Sequence, residues 1–147
     1  MKRYKFRLQS LLDQRKSLEE QLLAELGELR REEAAEVMRL HVLCQRLEIA
    51  CIEIEDALKR NAQCAELAQR DEYAKTLRDD VRVQELTIEA VRERVEAKRQ
   101  EVVKAMQDRK VLETLRDKQE QEYLQAIARA EQNELDEMSS VRYARGL

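Results

Sequence analysis

The feature that most constrains this chain is an apolar repeat that alternates steps of three and four. In the second half it runs Leu67, Ala74, Leu77, Val81, Gln84, Ile88, Val91, Val95, Lys98 and Val102, almost without a break. Such a repeat keeps one seam of a helix turned towards a partner helix and implies left-handed supercoiling. In the first half a stripe runs Leu8, Leu11, Leu18, Leu22 and Leu29. After a phase shift it continues Leu40, Cys44, Leu47, Cys51, Ile54 and Leu58. A shift of this kind resembles a stutter, where the supercoil locally unwinds.

Composition agrees. Of the 147 residues 40% are charged and 3% aromatic, with two Gly and no Pro or Trp. A globular core and its turns would need more of what is missing. Strong helix formers dominate instead. The expected fold is all-α, a long antiparallel two-helix coiled coil with an overhanging C-terminal helix segment.

The reversal carries no Gly or Pro. Its best signal is "LKRNAQC", residues 58–64, with Lys59 and Arg60 at the negative end of a helix dipole. Asn61 there suits the left-handed cap position. A rival turn at Asp71 would interrupt the second stripe. Gly27 costs about 1 kcal/mol inside a helix relative to Ala and does not mark the turn. The expected single domain, 1–147, has a helix over about 4–60, a turn over about 60–64, a helix over about 64–139 and a flexible tail, 140–147. Facing residues would have numbers summing to about 124 at 1.5 Å rise per residue in both helices. Lys2 to Arg7 would then lie beside Asp117, Glu120 and Glu122. One continuous helix in a parallel dimer is the alternative.

Several function classes lack their chemistry. Net charge is −3, which favours neither nucleic acid nor an anionic membrane surface. The basic start holds Lys2, Arg3, Lys5, Arg7, Arg15 and Lys16 against Asp13, but Glu19 and Glu20 follow at once. No nucleic-acid partner and no direct membrane insertion are expected, since no apolar run approaches the ~20 residues of a span. An amphipathic anchor with Phe6 as wedge stays an alternative for residues 1–16. The opening reads as part of the mature helix, because its leucine stripe begins inside it.

His41 is the only His, and Cys44 three residues on makes a two-ligand set, too few for zinc. Cys44, Cys51 and Cys64 read as reduced, buried thiols. Isolated glycines exclude a phosphate loop, and paired carboxylates such as Asp79–Asp80 lie on a solvated face. No catalytic, metal or cofactor site is expected, and the chain reads as a non-enzyme. Tyr4, Phe6, Tyr73, Tyr123 and Tyr143 are the only aromatics. They are either interface anchors or plugs at the ends of the seam.

Three stretches together resemble the FliJ family of the flagellar type III export apparatus. They are "FRLQSLLDQRKSLEEQ" (6–21), "DRKVLETLRDK" (108–118) and "EQNELDEMSSVR" (131–142). The resemblance implies a two-helix fold similar to the gamma stalk of rotary ATPases. It implies binding to the export ATPase hexamer, promotion of ring assembly, and contact with the cytoplasmic domain of the export-gate membrane protein. Energy coupling and escort of export chaperones are also implied, with a cytoplasmic, peripheral location at the inner-membrane export apparatus. The family's gate-binding positions fall on Tyr73, Leu77, Asp80 and Gln84, with Asp80 departing from the usual small residue. A matching first-helix face falls near His41 and Gln45. The ATPase contact is expected at Tyr4, Phe6, Arg7, Tyr123, Leu135 and Met138. A structural scaffold or tether, and the equivalent stalk of a virulence secretion system, are the alternatives.

Overall fold

A computed structural model describes residues 3–146. Two helices account for nearly all of them, α1 over Gln9–Lys59 and α2 over Cys64–Ala144. The single-helix alternative fails because the chain reverses at residues 60–63. There Asn61 has φ +55°. Ala62 N–H donates to the Ala57 carbonyl at 3.0 Å and Asn61 N–H to the Leu58 carbonyl at 3.2 Å. This is the paired bonding of a Schellman cap, with Asn in the left-handed position more often taken by Gly. Asp71 lies inside α2.

Two boundaries differ from the sequence-based expectation. Regular helix begins at Gln9 and not near residue 4, after a turn in which Gln9 N–H bonds the Phe6 carbonyl at 3.2 Å. The expected tail is helical as far as Ala144. Leu147 and the first two residues, among them Lys2 of the basic start, lie outside the described residues.

The contacts divide the chain into two compact units, to both of which each helix contributes: Leu22–Val102, and Met1–Gln21 with Val103–Leu147. In the first, α1 turns Leu22, Leu26, Leu29, Glu33, Glu36, Leu40, Leu43, Leu47, Ala50, Ile54 and Ala57 inward, all buried or half-buried. From α2 come Leu67, Ala74, Leu77, Val81, Gln84, Ile88, Val91, Val95, Lys98 and Val102. Ala50, Ala74 and Leu77 form a buried cluster with Leu43, Leu47 and Ile54 packed on it. The helices are antiparallel, since Glu25 meets Lys98 at 2.8 Å and Glu53 meets Arg70 at 3.0 Å.

The α1 seam departs from the expected one. No stutter occurs, because the three-four step of buried positions runs unbroken from Leu22 to Ala57. Glu33 and Glu36 hold seam positions there. α2 supplies their partners: Arg92 pairs with Glu33 at 3.1 Å, and the Gln84 amide donates to Glu36. Cys44 and Leu58 are exposed and Cys51 only half-buried. Leu43, Ala50 and Ala57 take the inward places. Cys64 is exposed as well, so the expected burial of the thiols is corrected.

In the other unit Leu12 is fully buried and Leu11 is exposed. Glu19 faces inward where Leu18 was expected, because Arg109 of α2 reaches it and also bonds Glu113 at 2.8 Å. Arg15 pairs with Asp108 at 3.5 Å. Glu19 across the hairpin first, and then Glu113 on α2 itself, hold the Arg109 guanidinium above its ordinary pKa.

Candidate protein-binding surfaces

Among the described residues no group of three or more His, Cys, Asp or Glu side chains converges on a metal position. No helix there is long and apolar enough to cross a membrane.

In Leu22–Val102 the four gate-type positions have different fates. Tyr73 is 52% exposed and lines a shallow groove with Ala50, Gln69 and Arg70. Asp80 is exposed. Leu77 is 4% exposed, held in the core cluster, so its side chain serves packing. Gln84 is half-buried, its amide nitrogen 2.9 Å from the Glu36 carbonyl oxygen.

On α1, His41 and Gln45 are exposed and lie 3.2 Å apart through ring and amide nitrogens. They belong to a larger feature that sequence reasoning missed. Met38, Val42, Ile49 and Ile52 are all exposed, by 41–61%, with Gln45 between them. Their spacing is again four, three, four, three, and it points away from the α2 seam. The signal was present in the sequence. It was hidden because α1 carries apolar residues around most of its circumference, so one stripe did not stand out from another. Met38, Val42, Leu43 and Gln84 line one shallow groove.

In the other unit two of the aromatics come together. Tyr4 and Tyr123 have ring centroids 5.5 Å apart at 43°, a tilted packing typical of aromatic pairs. The Tyr4 hydroxyl donates to Gln119 Oε1 at 3.1 Å. Phe6 is buried, at 9% exposure. Arg7 is exposed. None of Arg3, Lys5 and Arg7 forms an ion pair among the described residues, so the expected charge pairing with Asp117, Glu120 and Glu122 is absent there. Asp117 instead lies 3.6 Å from Arg116. Leu135 and Met138 are exposed by 59% and 58%, apart from the tyrosine pair.

Fold and surface together define a class: a helical-hairpin coiled coil whose exposed apolar stripes suit the binding of other proteins. The chain belongs to the flagellar FliJ protein family, whose sequence model matches residues 4–147. That membership points to flagellar type III protein export as its setting. Comparison with curated proteins and with solved structures gave no match.

Proposed function

We propose that the chain is a non-enzymatic stalk of the flagellar type III export apparatus, working at the cytoplasmic face of the inner membrane. It binds the export ATPase hexamer and the cytoplasmic domain of the export-gate protein. In doing so it promotes ring assembly and energy coupling and escorts export chaperones. Family membership over residues 4–147 is the observation that carries this reading.

Exposed surfaces support a division of labour. The gate contact is assigned to Tyr73 and Asp80 on α2 and to the α1 stripe around Met38, Val42 and Gln45. Large apolar side chains exposed in a continuous stripe are what an interface core requires. The ATPase contact is assigned to Arg7, the Tyr4–Tyr123 pair and the exposed Leu135 and Met138. Phe6 and Leu77, both buried, are assigned to packing.

The test is co-purification with each partner. Met38→Ser with Val42→Ser should weaken gate binding and spare ATPase binding. Leu135→Ser with Met138→Ser should do the reverse. Wild-type binding to both partners by both variants would remove the assignment.

A further inference from the structure

The last stretch of α2 carries a second apolar face. From residue 128 to residue 146 every residue is exposed. Leu135 and Met138 are more than half exposed, at 59% and 58%. A helix without packing partners is marginal in water. This face is not the hairpin seam continued. Extending the seam through Val102, Arg109, Arg116 and Tyr123 by sevens reaches Ala130 and Glu137. The three-four repeat of this stretch runs through Leu124, Ala128, Glu131, Leu135, Met138 and Arg142, one position further round. A repeat of that period asks for a partner helix.

Charge says which helix. Glu131, Glu134, Asp136 and Glu137 come first, and Arg142 and Arg145 follow. Among the described residues none of these makes an ion pair. We propose that the occupant is the same face of a second copy, running antiparallel. Setting Leu135 opposite the other copy's Met138 places Glu131 opposite its Arg142. Two-fold symmetry repeats both contacts. A parallel pairing would put acidic residues against acidic ones and is disfavoured. Met138 and Val141 floor a shallow groove edged by Glu134, Glu137, Arg142 and Arg145, and the other copy's Leu135 fills it.

The pairing uses Leu135 and Met138, which the proposed ATPase contact also uses, so the two exclude each other on one chain. Self-association is measured on the chain alone and does not depend on that contact. Sedimentation equilibrium of the full chain from micromolar to millimolar concentration is the experiment. The average mass should rise towards twice that of one chain. Arg142→Glu should abolish the rise, and Glu131→Arg added to Arg142→Glu should restore it, because the swapped pair again attracts. Both changes lie on exposed helix, and far-UV circular dichroism should stay at the wild-type level. A mass that stays at one chain overturns the proposal. So does a dimer that survives Arg142→Glu, or a double reversal that fails to restore it.

Discussion

Gln84 of α2 donates from its amide nitrogen to the backbone carbonyl oxygen of Glu36 on α1, 2.9 Å away, at a half-buried position of the seam. The same amide reaches the Glu36 carboxylate, which Arg39 also contacts. A polar layer of this kind fixes register at a cost in stability.

Gln84→Leu is therefore expected to keep the hairpin and raise its stability by about 1 kcal/mol, since Arg39 still answers the Glu36 carboxylate. Urea unfolding followed by circular dichroism measures this. A loss of stability would mean that the layer contributes more than register.

Leu77 and Tyr73 should separate packing from surface. Leu77→Ala removes a side chain from the Ala50–Ala74 cluster and should cost about 2–4 kcal/mol. Tyr73→Ala, at 52% exposure, should cost about 0.5 kcal/mol or less. Equal losses in urea unfolding would contradict the burial described for the two positions.

Gly27 lies within α1, and a Cβ there would meet only the flexible tip of Arg31, at 3.8 Å. Gly27→Ala should stabilise the helix by about 1 kcal/mol, chiefly by restricting the unfolded chain. A lower thermal midpoint would point to a need for the bare backbone at this position.

Two carboxylates set an acid limit. Bonding to Arg70 holds Glu66 below its ordinary pKa of 4.5, and bonding to Arg99 does the same for Glu96. A depressed folded-state pKa contributes stability that is present above 4.5 and lost as pH falls through the lower folded value. Lys98 has the opposite sign. Glu25 first, then Glu101, raise it above 10.5, so its contribution is intact below 10.5 and disappears as pH rises beyond. The urea midpoint should be flat between these limits and fall outside them. Glu66→Gln should shrink the acid step, and an unchanged acid step in that variant would refute the assignment to this pair.

The α2 seam was legible from Leu67 to Val102, because its steps of three and four run on without a change of phase, with only Gln84 and Lys98 polar from Ala74 onward. The candidate surfaces were legible only in part. Tyr73, Leu135 and Met138 stand exposed, whereas Leu77 and Phe6 are buried. A single sequence does not state which side of a residue another helix covers.

What the sequence determined alone was helix, its period, and a reversal at a residue able to take φ above zero, Asn61. What the tertiary structure decided was which α1 face turns inward. Adjacent residues differ by only ~100° around a helix, so Leu11 or Leu12, and Leu18 or Glu19, satisfy the same period almost equally. The choice falls to the facing helix. Arg109, Arg92 and Gln84 give Glu19, Glu33 and Glu36 their hydrogen bonds, which lets charged residues hold seam positions. Cys44 and Leu58 are left facing water. An apolar pattern read from one helix cannot include the partner that makes a charge acceptable in the seam.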